Sequence, residues 1–517
     1  MRSPTTCARV VFAVLAVALS AVPLFAQGQP APSVRRLSMD EAVRLALEQN
    51  LGIQIERMNP RIQDVAIAQA QSSWVPNVSS SLTNNSTNSP STSFFSGGQN
   101  RITDASVATE LAVTQRLPTG ANYSVAWDNS RATSTNIFNS FDPLLRSTIT
   151  FSATQPLLRN FKIDSARQQL ETSRKDREAS DLQLQSTIVL TTRNVKNAYW
   201  DLAYHIANLS AQRQSLDLAR RLLGDNEKRV QIGTMAPIDI VEAQSEVARN
   251  DESVIVAEAA IKRAEDDLRA LIYDPSAADF WNIMIEPSDT APFPGQTLDV
   301  EGAVRRALEH RLDVQLAKNG LARTDIDVRY HRNQTLPEVN AEATYSAAAA
   351  GGRELTPLTS IPLGPVERSI FAQRGYGSVL GDVLTSAFPT WTFGITVSYP
   401  LGISSAEANL ARSRLQHSQA ETQLKQLELQ IATQVRDLAR QVQTNQKRID
   451  SARAARELAE RRLEAEERKF TAGIQTSFFV FQAQRDLAQA RTNEVRAVSD
   501  YAKSIVEFEA VQETALR

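Results

Sequence analysis

The sequence predicts an α+β protein of two tandem repeats, each built of extended strands followed by a long α-helical coiled-coil hairpin. Three observations carry this. A segment near the start of the chain recurs 261 positions later without a gap. The extended segments alternate apolar and polar residues, as half-buried strands do. Two long stretches without proline, 164–228 and 404–469, carry apolar residues at heptad spacing.

The repeat comes first, because self-similarity at a fixed period decides the architecture. Residues 37–55 and 298–316 align with identical pairs including Leu37/Leu298, Ala42/Ala303, Ala46/Ala307, Leu47/Leu308, Leu51/Leu312 and Gln54/Gln315. The same offset pairs Pro76 with Pro337 and Val78 with Val339. Further on, Gln155-Pro156-Leu157 corresponds to Tyr399-Pro400-Leu401. An offset of 240 then pairs Arg229 with Lys469, Gly233 with Gly473, Ala243 with Ala483 and Gln244 with Gln484. Each half therefore reads as helix, extended segment, long helix, glycine turn, long helix. The boundaries expected are 27–272 for the first repeat, 273–297 for a linking equatorial segment and 298–517 for the second.

Within the extended parts, Ile149, Phe151 and Ala153 alternate with Thr150, Ser152 and Thr154. Trp391, Phe393, Ile395 and Val397 alternate with Thr392, Gly394, Thr396 and Ser398. The Asn- and Ser-rich stretch 83–99 and the Gly- and Pro-rich stretch 347–389 read as long loops. Leu117-Pro118-Thr119-Gly120 reads as a tight turn, and Tyr123, Val125 and Trp127 follow in alternation. That leaves room for an extra hairpin in the first repeat, with a strand continuation or a surface loop as alternatives.

In the helical parts, Ile188, Val195, Leu202 and Leu209 recur every seventh residue, and Leu424, Leu427, Ile431, Val435, Leu438 and Val442 step by threes and fours. This is the seam of a coiled coil rather than the broader stripe of a globular helix. At ~1.5 Å per residue, either stretch reaches roughly 100 Å.

Composition excludes several classes of function. The 56 basic and 58 acidic residues leave a formal charge of −2, with no basic excess for nucleic acid. Arg2, Arg9 and the apolar run 10–24 read as an export signal over 1–26, shorter than a membrane-spanning helix. Cys7 is the one cysteine and precedes that run, so the mature chain has no thiol for disulfides, metal binding or catalysis. His205, His310, His331 and His417 are scattered, and no phosphate-binding, zinc-protease, nucleophile-elbow or dinucleotide motif is present. No enzyme activity, metal or cofactor is expected. A chain of this kind enters a membrane only by strands, which must close into a barrel. The four to six strands in view are fewer than the roughly eight of the smallest single-chain barrels, so several chains must share one.

The opening segment with its LSxxEAVxxALxxN pattern, the strand entries after Pro76 and Pro337, the Gln-Pro-Leu and Tyr-Pro-Leu exits and the two glycine turns together resemble the TolC-like outer-membrane efflux proteins. The resemblance runs from about residue 37 to 512. It implies an α+β membrane protein, in which an oligomeric β-barrel continues into an α-helical periplasmic tunnel. It implies a homotrimer surrounded by outer-membrane lipid, working with a periplasmic adaptor (membrane fusion) protein and an inner-membrane pump as the exit duct of a tripartite efflux or type I secretion system. The chain departs from the family's four-strand pattern in one place, where the stretch around Leu117 to Gly120 leaves room for the extra hairpin or its alternatives. By resemblance, Arg229, Gly233, Thr234, Lys469 and Gly473 are candidates for adaptor contact at the periplasmic tip. Asp239 and Glu242, matched in the second repeat by Phe479 and Gln482, are candidates for the pore constriction. Phe478 and Phe481 are expected to pack within the helices, while Phe479 stays open between packing and an apolar constriction. A periplasmic coiled-coil scaffold without a pore is the alternative, and the alternating strands argue against it.

Overall fold

The computed structural model describes residues 33–91, 100–276, 280–290, 298–357, 368–402 and 404–512. The expected signal segment lies outside them, as do 92–99 and 358–367 of the expected loops.

Each half opens on a short helix with a side-chain cap at the repeated position. Helix α1 (Met39–Gln49) is capped by Ser38, whose hydroxyl accepts from the Glu41 amide at 3.2 Å. It follows strand β1 (Ser33–Leu37) and leads into α2 (Leu51–Glu56) and α3 (Asn59–Gln71). The chain then runs through four strands, β2 (Asn77–Pro90), β3 (Arg101–Arg116), β4 (Asn122–Ser134) and β5 (Phe141–Pro156). Helix α4 (Ser165–Gln231) and helix α5 (Ile238–Ile272) form the first hairpin. Strand β6 (Ile283–Pro287) pairs in parallel with β1 and links the halves.

The second half begins with α6 (Val300–His310), capped by Asp299, which stands 261 positions after Ser38. Helix α7 (Leu312–Gln334), strand β7 (Glu338–Leu355), strand β8 (Ile370–Arg374), helix α8 (Tyr376–Leu384) and strand β9 (Pro389–Ser398) follow. Helices α9 (Ser405–Thr471) and α10 (Ser477–Gln512) complete the chain. Helices α4 and α9 are each 67 residues long, or about 100 Å. Asp164 and Ser404 cap them by accepting from the Arg167 and Glu407 amides, which satisfies donors that a helix start leaves free.

The predicted seams are the cores. Val195, Leu202, Ile431 and Val435 are fully buried or nearly so. Around Val195 and Leu202, α1 packs against α4 and α5 through Ala42, Ala46, Leu268 and Ile272. Around Ile431 and Val435, α6 packs against α9 and α10 through Ala303 and Ala307. The matching alanines of the repeat thus do the same job twice, admitting a short helix close to a long pair. Buried Tyr199 ties the first junction together: its hydroxyl lies 3.1 Å from the Leu37 carbonyl and accepts from the Asp289 amide at 3.0 Å.

In the lower part of the helices, α4 lies between α5 and α10, and α10 lies between α4 and α9. Nearer the strands, α4 lies between α3 and α7, and α7 lies between α4 and α9. Elements of the first repeat, α3 and α5, therefore occupy one flank, and α9 of the second occupies the other.

The strands form one antiparallel sheet in the order β2-β3-β4-β5-β7, with β9 and β8 both pairing the far side of β7. The edges are β2 on the first-repeat flank and β9 with β8 on the second, the same sidedness as the helices. Two loop expectations are corrected. Residues 83–90 belong to β2, paired with β3 to Arg101, although both faces there are so polar that the sequence reads as loop. Residues 347–355 continue β7, and 347–389 also contains β8 and α8. The small residues of that part of β7 have a packing reason: Val379 and Val383 of α8 sit on Ala347 and Ala349. A Cβ on Gly351 would lie 2.6 Å from the Val379 side chain.

The extra hairpin is present. Leu117 donates to the Ala121 carbonyl at 2.7 Å and Gly120 turns at φ +86°, joining β3 and β4 in a continuous ladder.

Candidate functional site

Among the described residues, two features face outward: the part of one sheet face that α8 leaves uncovered, with both edges of the sheet, and the tip of the helical hairpins.

In an antiparallel ladder, directly paired residues point to the same face. One row across all six long strands reads Val78, Val113, Val125, Phe151, Tyr345 and Trp391. The adjoining row on the opposite face reads Asn77, Thr114, Ser124, Ser152, Thr344 and Thr392. One face is thus wholly apolar at this level and the other wholly polar. The apolar face is open: Trp391 is 75% exposed and Phe393 66%. Water penalises such a surface, while hydrocarbon accepts it. The polar face, with Glu110 directly opposite Asp128 further along, suits a water-filled lumen. Among the described residues no helix is long and apolar enough to cross a membrane.

At the far end, the long helices turn back through two equivalent glycine caps. Gly233 has φ +77° and Gly473 φ +75°. Thr234 donates to the Arg229 carbonyl at 2.9 Å and Gly233 to that of Val230; Ile474 donates to Lys469 at 3.0 Å and Gly473 to Phe470. This is the Schellman pattern, in which the left-handed residue lets two amides reach back to the last free carbonyls. Arg229 and Lys469 occupy the same cap position in their respective turns. Their side chains differ in task. Arg229 lies 4.3 Å from the Phe470 ring centroid and reaches the Phe470 carbonyl, joining the two tips, whereas Lys469 pairs with Glu466 on its own helix at 2.9 Å. Thr234, Gly233 and Gly473 are exposed, and a Cβ on either glycine would meet nothing within 4 Å.

Beyond the turns, Ala243 and Ala483 are both fully buried in the tip core, which fixes the rotation of α5 and α10 there. Asp239 is half-buried, and Glu242 and Gln482 are exposed. Nearby charges such as Lys228, Glu246 and Lys469 have ion-pair partners, but among the described residues neither Asp239 nor Glu242 enters one. Phe481 packs as expected at 3% exposure. Phe478 does not: at 52% exposure it stands out beside Phe479, at 41%, edge to face with centroids 5.6 Å apart. Val480 and Phe481 take the core positions of that turn, which leaves Phe478 and Phe479 exposed.

Sequence reasoning missed the buried Glu246, which accepts from Arg249 at 2.8 Å and faces Arg485 of α10 at 3.2 Å. It also missed Glu265, a buried carboxyl where α5 meets β6. Burial pushes the Glu265 carboxyl above its ordinary range, against the Ile285 amide and Arg269, which favour the charge. The folded state then holds the proton more tightly than the unfolded chain. Its stabilising effect is complete below the ordinary carboxylate value and is lost as pH rises through the raised one. Glu265→Gln is expected to raise the melting temperature at neutral pH, with the gain vanishing as pH falls to about 4.5; thermal melts across that range check it, and a gain independent of pH contradicts it.

The comparisons with known proteins agree with this geometry. The family model for the outer membrane efflux protein matches residues 42–272 and 303–510. No curated protein sequence gives a significant match. Among solved structures, a membrane protein from Pseudomonas aeruginosa superposes with a TM-score of 0.64 at 14% identity, over 92% of this chain and 93% of that one. The outer membrane protein VceC of Vibrio cholerae gives 0.62 at 15% identity, over 92% and 95%. The CmeC outer membrane channel of Campylobacter jejuni gives 0.62 at 14%, over 92% and 85%. At these identities the superpositions show the fold, and the family match covers most of the length. The chain belongs to the outer membrane efflux protein family and is a channel component of the outer membrane, with a periplasmic helical extension, rather than an enzyme.

Proposed function

We propose that three copies of this chain form the exit duct of a tripartite efflux or type I secretion system, passively conducting substrates handed over by an inner-membrane pump and a periplasmic adaptor. The observation that carries this is the shared sidedness of the two layers. First-repeat elements β2, α3 and α5 line one flank, and second-repeat elements β9 and α9 line the other. Such a molecule is completed by joining unlike flanks of successive copies, and a head-to-tail contact that closes on itself makes a ring. Strands β2 and β9 run in opposite directions in the sheet, so the joint continues the antiparallel order. The exposed Val241, Ile255 and Val256 of α5, and Leu415, Leu429 and Leu458 of α9, are then covered by the neighbouring copies.

At the tip, Gly233, Thr234, Gly473 and Lys469 meet the adaptor, and Arg229 holds the two turns at one height through Phe470. The unpaired Asp239 and Glu242, with Phe479 and Gln482 in the second repeat, form the constriction. Repeated around a ring, the carboxylates repel one another and draw cations, while Phe479 supplies an apolar share. Asparagine tolerates the left-handed conformation and adds a side chain where this chain has open space. Gly233→Asn and Gly473→Asn together are therefore expected to leave the assembly intact while sharply reducing co-purification with a periplasmic adaptor. Undiminished co-purification contradicts the assignment of the tip.

A further inference from the structure

We propose that the wall of the barrel holds six strands from each copy, eighteen in the ring of three, and is therefore as wide as the helical tunnel below it. This rests on the duct reading above.

Six strands, β2, β3, β4, β5, β7 and β9, are 10 to 18 residues long, and about 9–11 residues suffice to cross a bilayer. Strand β8 has five residues and does not. The hairpin β3–β4 is not laid upon the sheet but inserted in it. It pairs with β2 from Asn77 to Pro90 on one side and with β5 from Asn122 to Ala132 on the other. Near the helical end of the strands the two faces run through it in phase, Val113 and Val125 apolar, Thr114 and Ser124 polar. A hairpin outside the wall would have no reason to keep both faces in phase with its neighbours. Its lower turn is also held at the junction of strand and helix. A Cβ on Gly120 would lie 2.7 Å from the Asn160 carbonyl oxygen, which itself accepts from Arg167 at 2.5 Å.

Widths support the count. Four helices lie abreast in each copy, and at roughly 8–10 Å apart they span roughly 32–40 Å of the ring. Six strands spaced ~4.8 Å apart and tilted ~40° span about 38 Å. With six, the two layers share one circumference, and the narrowest part of the duct lies at the periplasmic tip.

Electron cryomicroscopy of the full-length assembly in lipid nanodiscs tests this. Eighteen strands in a barrel matching the helical ring in diameter are expected. A twelve-strand wall with β3–β4 outside it overturns the inference and leaves the duct reading standing; absence of any shared barrel overturns both. A second measurement needs no image. In a Cys7→Ser background, Ser124→Cys is expected to react with a water-soluble maleimide, and Val125→Cys only with a lipid-phase reagent. Equal reaction of both with the water-soluble probe places the hairpin outside the wall and rejects the proposal.

Discussion

Phe151→Arg is expected to prevent insertion of the barrel or leave it far less stable, whereas Ser152→Arg, one residue on, is expected to be tolerated. Phe151 stands mid-row on the apolar face, between Val125 and Tyr345. A guanidinium there faces hydrocarbon, at about 2–4 kcal/mol near the bilayer midplane, and every copy in the ring bears that cost. Ser152 sits between Ser124 and Thr344 on the polar face, where water solvates the added charge. Heat-modifiable gel migration of the outer-membrane assembly reads the difference. Equal damage from both variants would mean that the faces are misassigned.

Leu202→Ala is expected to lower stability by about 2–5 kcal/mol, the range for emptying a buried leucine site. Leu202 is fully buried where α1 and α5 close on α4, and these long elements have little freedom to collapse into the void. Leu429→Ala, on an exposed face of α9, is expected to leave a single copy unchanged and to weaken only association between copies. Thermal melts followed by circular dichroism, together with sedimentation of the assembly, separate the two effects. A small loss for Leu202→Ala would show that the seam is not the core.

Much of this was legible in the sequence, for identifiable reasons. The long helices were readable because 164–228 and 404–469 carry no proline, and their turns because Gly233 and Gly473 suit left-handed stops, all strictly local features. The seam was readable because Val195 and Leu202 sit seven residues apart. Strand β5 was readable because its alternation is strong. Strand β2 was not: 83–90 is polar on both faces, and what makes it a strand is pairing with β3, which lies beyond a short window. The end of β7 was obscured for the opposite reason, since its alanines and glycines make room for α8, an element with no counterpart in the first repeat. The parallel pair β1–β6 joins segments 250 residues apart, and no local pattern announces it. At the tip, the glycine pair and its register were visible, but the difference between Arg229 and Lys469 was not. It depends on Phe470, which reaches Arg229 only once the two hairpins lie side by side.

The central claim is that this chain supplies a share of a continuous water-filled duct. Single-channel recording in planar bilayers tests it most directly, using the purified full-length assembly and a variant loosened at the tip by Asp239→Ala and Phe479→Ala. The account predicts discrete channels, with larger conductance in the loosened variant because the constriction lies at the tip. Silent bilayers with both proteins, from preparations that retain the folded assembly, would contradict it.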